Sequence, residues 1–519
     1  MIAVLEQENA ELRAENARLT ARNEELEAEQ RRLQLRIDGL LQRLFGRRSE
    51  RFVNPNQGEL FEDIAALSAE AKAEIEARLG GEDPAEETRK RSRHKGRRRL
   101  PKNLPREEVH LDLPAAEKIC PHGHSWEKFG EDRTEELDII PAQIFVREFV
   151  RPKYHNPACD HPECQGVKMP PLPVRPIEQG RPAPGLLADI AVSKYGDHLP
   201  IYRQEQIFAR HGVAIPRSTM GGWTTALGRL LLVIYLAMKE GLLKQRYLQA
   251  DETTIRVQGM KPGKMHTGYL WGYGVPWGEV VYEFALDRSG ERPLKFLQGF
   301  AGHLLQTDAY AGYNEFVRRQ DGRVVRLGCW AHVRRKIYEA LGEAPERAQI
   351  LLAAIQRLYR IEREIHGLDP ETRARVRQDQ ARPILVDLKA LLEAYQAEAL
   401  PESLLGRAIA YALGEWPQLE RYVEYGEAEI DNNSIEHTLR PVAVGRKNYL
   451  FVGSPQGGEA AAVLYSLITT CKRLGINPWV YLKDVIERVA SHPMARIAEL
   501  TPRGWKEARD RAAGPAATA

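Results

Sequence analysis

The chain reads as a multidomain α+β protein, and three observations predict that class. Leucine recurs at six consecutive seventh positions, Leu5 to Leu40. Short β-branched and aromatic segments separated by turn residues run from Tyr247 to Cys329. An almost unbroken helical pattern then runs from Val333 to about Glu424. A chain of 519 residues exceeds what one core organises, so several domains are expected. Hydrophobic residues at 43% and charged residues at 28% fit a globular protein. No apolar run reaches the roughly 18 residues of a membrane span. The polar N-terminus lacks a signal core, and five scattered cysteines make no disulfide framework, so a reducing cytoplasmic setting is expected.

The first element is a coiled coil over 1–48. Leu5, Leu12, Leu19, Leu26, Leu33 and Leu40 face Ile2, Asn9, Asn16, Asn23, Gln30 and Ile37 three positions earlier. Sustained heptads predict a left-handed coiled coil, and Asn at the core position fixes register in parallel dimers. Self-association is therefore expected. A basic linker, 49–104, carries Arg89-Lys90-Arg91-Ser92-Arg93-His94-Lys95-Gly96-Arg97-Arg98-Arg99. Like charges repel, so this run does not fold on itself. Arg93, Arg97, Arg98 and Arg99 suit a phosphate backbone, which they can hold without reading sequence.

Residues 105–172 form a small module with three of the five cysteines and four histidines between Cys120 and Cys164. Pro and Gly beside them suit the knuckles of a structural zinc site. Cys120, His124, Cys159 and Cys164 are the expected ligands, with His122, His155 and His161 as substitutes. A metal-free remnant is the alternative.

A helical domain, 173–243, follows. Ile201 to Arg210 is an amphipathic helix, His211-Gly212-Val213 breaks it, and Pro216-Arg217-Ser218-Thr219-Met220 opens another. Helix, glycine turn and polar-headed helix match a helix-turn-helix, whose second helix enters the major groove. Arg217, Ser218 and Thr219 would then face bases. Leu227 to Leu243 reads as a buried connecting helix.

From 244 to 336 the pattern is of strands. Tyr247–Gln249 leads to Asp251. Thr267–Gly274 and Val280–Leu286 flank the turn Pro276-Trp277-Gly278. Arg292 to Gly299 is a short helix, Leu304–Thr307 a fourth strand ending at Asp308, and Val324–Cys329 a fifth. That order resembles a ribonuclease-H-like sheet, with acids ending adjacent strands one and four. Ligands usually bind at such strand ends. Residues 337–425 are a helical insertion, and 426–490 return to the core. Asn432-Asn433-Ser434 cap a helix carrying Glu436 and Arg440. A helix from Ala460 to Leu474 closes the core, and 491–519 form a tail.

Asp251, Asp308 and Glu436 are the candidate catalytic acids. Hard divalent cations take oxygen ligands, and a pair of them can stabilise both attacking and leaving oxygens of a displacement at phosphorus. Magnesium, with manganese as substitute, is the expected cofactor. Glu252, Glu424, Glu427 and Glu429 compete as ligands, and Asp431 is read equally as a cap. Arg440, Arg446 and Lys447 are candidates for holding a cleaved strand. Cys329-Trp330-Ala331-His332 reads as a buried strand end with His332 opening a helix, or else as a metal pair or brace.

Asp251-Glu252-Thr253, Thr307-Asp308-Ala309-Tyr310, Asp431-Asn432-Asn433-Ser434-Ile435-Glu436 and Arg446-Lys447-Asn448-Tyr449-Leu450-Phe451 resemble transposases of the insertion sequence 66 family. Leu44-Phe45-Gly46-Arg47-Arg48-Ser49-Glu50 and the Cys120–Cys164 segment are similar to its N-terminal and zinc-binding segments. Gly123 stands where that family usually has a second cysteine. The resemblance implies a DDE-type, TnpC-like recombinase with Asp251, Asp308 and Glu436 as metal ligands. It implies cleavage and strand transfer at terminal inverted repeats, with DNA as partner and accessory proteins of the same element nearby. A DNA-binding regulator with an inactive core, and a nuclease without strand transfer, are the rival readings.

Overall fold

The computed structural model describes Arg18, Arg22 and residues 143–154, 167–177, 182–261 and 264–513. The heptad leucines, the basic run and the four expected zinc ligands lie outside these residues. The chain divides into two units, Arg48–Glu148 and the remainder, and the elements described below belong to the remainder from Phe149 onward.

The architecture is α+β, with one mixed five-stranded sheet among many helices. The strands are β1 (Tyr247–Lys261), β2 (Lys264–Gly274), β3 (Val280–Ala285), β4 (Leu304–Gln306) and β5 (Val325–Leu327). Their order across the sheet is β3-β2-β1-β4-β5. The first three form an antiparallel meander, whereas β4 and β5 run parallel to β1.

Four helices precede the sheet: α1 (Pro184–Ala191), α2 (Ile201–Arg210), α3 (Arg217–Leu230) and α4 (Leu232–Leu243). Two lie between strands, α5 (Glu291–Phe296) and α6 (Gly312–Arg318). α7 (Trp330–Glu339) leads from β5 into the insertion, which supplies α8 (Pro345–Glu364), α9 (Pro370–Val376), α10 (Arg382–Glu398), α11 (Leu404–Gly414) and α12 (Trp416–Leu419). The chain ends with α13 (Asn433–Tyr449), α14 (Pro455–Arg473), α15 (Pro478–Arg488) and α16 (Pro502–Ala513). No helix among the described residues is long and apolar enough to cross a membrane.

The expected connecting helix breaks at Leu231, where α3 ends and α4 begins. α2 and α3 are joined through Gly212, whose φ of 78° turns the chain at no steric cost. Ile190, Phe208, Ile215 and Met220 form a small core beneath this pair.

The sheet's two edges are covered differently. At β3, the Thr470 and Ser466 hydroxyls on α14 accept from the Val280 and Tyr282 backbone N–H groups at 3.1 and 2.8 Å respectively. Thr470 also donates to the Val280 carbonyl at 3.0 Å. These hydroxyls occupy edge groups that would otherwise recruit another strand. Near β5, the insertion docks through Trp330, whose indole donates to the Leu419 carbonyl at 3.0 Å. Trp330 also meets Trp416 edge-on.

Several expectations are corrected here. Asp251 does not end a strand: β1 continues ten residues beyond it, because the long pairing with β2 keeps Thr253 to Val257 extended. Cys329 lies beyond β5, as the residue capping α7. The last helix of the core starts at Pro455, five residues early, because Ser454 caps it by accepting from the Gly457 N–H. The segment read as a tail folds instead. Trp505 on α16 is buried against Tyr481 and donates to Asp484 at 2.8 Å. Arg503 pairs with Glu279 at 2.9 Å.

Candidate functional site

The site forms where β1, the end of β4 and the start of α13 meet. Asp251 pairs across the ladder with Gly272. Residues directly opposite in an antiparallel pair share a face. On that face Ile435 and Leu439 of α13 lie over Gly272, where a Cβ would touch them at 3.5 and 3.4 Å. A methyl group at 272 would thus make only ordinary contact, so α13 packs directly over this face of the sheet. Glu436 follows Ile435 on the same helix.

Two buried glutamines set the position of this helix. Gln249 and Gln306 each stand two residues before a candidate acid, so each shares its strand face with that acid. Gln249 Nε2 donates to Gln306 Oε1 at 2.8 Å and to the Asp431 carbonyl at 2.9 Å. Its Oε1 accepts from the Ile435 N–H at 3.3 Å. Gln306 Nε2 donates to the Gly328 and Glu429 carbonyls at 3.0 and 2.9 Å. The Tyr247 hydroxyl donates to Gln306 Oε1 and accepts from the Glu429 N–H. Residues 429–435 are thus stitched to β1 and β4 by a buried polar network. Single-sequence reading missed it, although the matched spacing, Gln-x-Asp twice, was visible.

Burial raises the Asp251 carboxyl well above its usual range, and the negative charges of Asp308, Glu252 and Glu436 push it further. The Glu252 N–H, which donates to Asp251 Oδ1 at 2.8 Å, works against that rise. The three candidate acids share one electrostatic neighbourhood, although their oxygens do not all close to within 4.8 Å. Asp308 Oδ1 accepts from the Tyr310 N–H at 3.0 Å. Arg326, almost fully buried, donates to the Asp308 carbonyl at 2.9 Å and to Glu415 at 2.6 Å. It fixes the turn that presents Asp308.

The competing carboxylates are engaged elsewhere. Glu252 points to the opposite face of β1 and pairs with Arg288 at 2.5 Å. Glu424 pairs with Arg382, Glu427 with Arg246 and Glu429 with Arg373. Asp431 accepts from the Tyr359 hydroxyl at 2.7 Å and from the Asn433 N–H at 3.0 Å. Asp431, not Asn432, therefore holds the first turn of α13. Asn432 occupies the cap position, but neither of its side-chain amide atoms is hydrogen-bonded.

Of the expected DNA contacts, Arg217 and Ser218 are exposed at the start of α3, and Thr219 is half-buried. Arg440 and Lys447 are exposed on α13. Arg446 is half-exposed and donates to the Thr254 carbonyl at 2.7 Å and to the Thr253 and Thr254 hydroxyls, tying α13 to β1. Arg93, Arg97, Arg98 and Arg99, and Cys120, His124, Cys159 and Cys164, lie outside the described residues.

A tryptophan not singled out for function stands against α13, the helix that carries Glu436. Trp277 is 62% exposed at the β2–β3 turn and has a φ of 57°. A bulky residue in that region is strained and is held only by its surroundings. Its N–H donates to Ser434 at 2.7 Å, and its ring meets His437 edge-on at 5.8 Å.

Comparison with known proteins adds the following. Residues 179–460 match the family described as Transposase IS66 family. Residues 32–109 match Transposase C of IS166 homeodomain, 117–160 match zinc-finger binding domain of transposase IS66, and 466–503 match IS66 C-terminal element. The chain is 36% identical to uncharacterized protein y4jD of Sinorhizobium fredii over 425 residues, covering 78% of this chain and 81% of the relative. It is 34% identical to uncharacterized protein y4qI of the same organism over 487 residues, covering 90% and 88%.

Proposed function

The chain belongs to the IS66 family of transposases, and from that premise we propose that Asp251, Asp308 and Glu436 form its DNA-cleaving centre. We read the sheet as ribonuclease-H-like, which its β3-β2-β1-β4-β5 order and strand directions support. The observation that carries the reading is the charge balance at Asp251. A carboxylate raised by burial and by three negative neighbours is an arrangement that divalent cations stabilise.

Asp251, Asp308 and Glu436 would hold magnesium or manganese. When bound, such ions supply Lewis-acid stabilisation of the oxygens at a reacting phosphate. The protein's own part is positioning. The glutamine network sets the start of α13, Arg326 sets the turn at Asp308, and Arg446 ties the far end of α13 to β1. Positioning and charge neutralisation carry most of phosphoryl-transfer catalysis. Cleavage at an element end, followed by attack of the freed 3′ hydroxyl on target DNA, is the expected reaction course.

DNA would be gripped beyond the acids. Arg217 and Ser218 at the exposed head of α3 suit groove contacts, with Thr219 beside them, and Arg440 and Lys447 suit the strand near Glu436. The exposed Trp277 ring offers a stacking surface for an unpaired base beside the centre. The basic run before residue 100 would add sequence-independent affinity, and the zinc-finger segment would hold zinc. Pairing of element ends through the N-terminal heptads, and accessory proteins of the element, complete the proposal.

The test is Asp308→Asn. Magnesium-dependent nicking of an element-end duplex should be lost while end binding in a mobility-shift assay persists. Cleavage at the wild-type rate excludes Asp308 as an essential ligand. Joined products between an end oligonucleotide and a target plasmid separate a transposase from a nuclease without strand transfer.

A further inference from the structure

A second set of donors meets Glu436 from α7. The only trio of His, Cys, Asp or Glu among the described residues whose ligand atoms all lie within 4.8 Å of one another is Cys329, His332 and Glu436. His332 Nδ1 stands 3.6 Å from Glu436 Oε1. Neither atom makes a hydrogen bond, although both are buried. Leaving two such polar atoms unsatisfied is costly unless something sits between them.

The spacing says what fits. A tetrahedral zinc ion, with bonds of about 2.0–2.3 Å, sets its ligand atoms roughly 3.4 Å apart. The separation of 3.6 Å between His332 and Glu436 is close to that value. The donor set of one thiol, one imidazole and one carboxylate suits a borderline-soft ion rather than magnesium. Burial pushes the Cys329 thiol up, as do the charges of Asp431 and Glu436, while backbone N–H groups of Asn432 and His332 directed at its sulfur pull the other way. Asn432 is wholly buried, and both atoms of its side-chain amide lack a partner.

The local sequence explains the convergence. Cys329 caps α7 and His332 lies in its first turn, three residues on, so both face the same way. The Trp330 N–H bonds to the Ile430 carbonyl, which sets the head of α7 against the segment leading into α13. Trp330 itself is anchored through Leu419 and Trp416, so the insertion holds α7 in this register.

We propose that Cys329 Sγ, His332 Nδ1 and Glu436 Oε1 form a binding site for a zinc-class divalent ion, distinct from the hard-cation centre but sharing Glu436 with it. Binding displaces the thiol proton of Cys329 to solvent, takes neutral His332 and leaves one coordination position for water. The site rests on its own geometry. Its consequence rests on the reading above: an ion held here engages one oxygen of Glu436, so zinc occupancy and magnesium-dependent cleavage oppose each other.

The experiment uses the full chain carrying Cys120→Ser, Cys159→Ser and Cys164→Ser, which removes the thiols of the zinc-finger segment. Cobalt(II) serves as the optical probe, titrated without oxygen. The expected result is a saturable thiolate-to-cobalt charge-transfer band that zinc bleaches. Cys329→Ser should abolish that band, and His332→Gln should abolish or shift it. Asp251→Asn should leave it unchanged. His332 is partly exposed, so its variant keeps the test open if Cys329→Ser fails to fold. No thiolate–cobalt band in the parent chain, or a band that survives both Cys329→Ser and His332→Gln, overturns the site. Zinc should also slow cleavage in the parent and not in His332→Gln, and equal inhibition in both overturns the coupling. A normal cleavage rate in Asp308→Asn sinks the proposed centre without touching the cobalt result.

Discussion

Gln306→Leu tests whether the buried glutamine network holds the site together. The substitution keeps the size of the side chain but removes two donors and one acceptor. The Gly328 and Glu429 carbonyls, which receive its N–H groups at 3.0 and 2.9 Å, lose those bonds. Gln249 loses one of its partners but keeps the Asp431 carbonyl. Each buried carbonyl left without a donor costs about 1–3 kcal/mol. Two of them give about 3 kcal/mol, partly offset by the gain from burying an apolar side chain. In urea denaturation followed by tryptophan fluorescence, the midpoint should fall by about 1 M or more, given a slope of about 1–3 kcal/mol per M. Cleavage should fall further than stability alone explains at a temperature where the variant is folded, because Glu429 to Ile435 lose their link to β4. Gln306→Glu is the paired control, since it keeps the shape and places a charge in the same buried position. A Gln306→Leu midpoint within about 0.2 M of wild type would refute the reasoning, because the carbonyls would then be satisfied in some other way.

Three further outcomes follow from the same geometry. Arg377→Met should cost about 3–5 kcal/mol in denaturation, because the fully buried guanidinium binds Glu362 twice and the Tyr422, Tyr425 and Ala428 carbonyls. Asp251→Asn should melt higher than wild type at neutral pH without divalent ions: a carboxyl raised on folding opposes the fold above its unfolded value of 3.8, and increasingly so as pH rises through its folded value. The gap should therefore close toward pH 4 and shrink when magnesium is added, and a gap independent of pH would exclude the charge as its cause. Trp277→Ala should weaken binding to an element end with an unpaired terminal base by about 1–3 kcal/mol in a fluorescence titration, and leave fully paired duplex unaffected.

The five strands and their approximate places were legible because aromatic and β-branched residues cluster at Tyr247–Gln249, Thr267–Gly274 and Val280–Leu286, with a clear turn at Pro276-Trp277-Gly278. The start of α2 and its breaking glycine were equally plain. What the sequence hid were partners set by distance along the chain. Gln249 looked like an ordinary polar residue in a strand, yet it bonds to Asp431, 182 positions away. Arg377 looked like one charge on a solvated helix, yet its partners are carbonyls that no side-chain pattern reveals. Asn432 matched the residue preference for helix caps, but Asp431 won because its carboxylate reaches the Asn433 N–H directly. The folding of residues 494–513 was missed because few apolar side chains, Leu500 and Trp505 chief among them, mark the buried face of a segment otherwise rich in charge.

The helical insertion illustrates how such a chain can couple distant parts. It contributes none of the three candidate acids, and its helices carry no readable chemistry. Yet, with α7 leading into it, it touches the centre at three points through groups that the sheet cannot supply. Tyr359 on α8 bonds Asp431 at the head of α13, Glu415 anchors the arginine behind Asp308, and α7 brings His332 and Arg335 to within 3.6 and 3.4 Å of Glu436. A small shift of the insertion would therefore move the surroundings of Asp308 and Glu436 together, whereas Asp251, held within β1, would stay. Changes at insertion residues such as Tyr359 should accordingly alter cleavage more than DNA affinity. Changes at Arg217 on α3, remote in sequence from all three contacts, should do the reverse. If Tyr359→Phe left cleavage untouched at full folding, the bond to Asp431 would be a packing detail and the insertion's influence would have to run through Glu415 and α7.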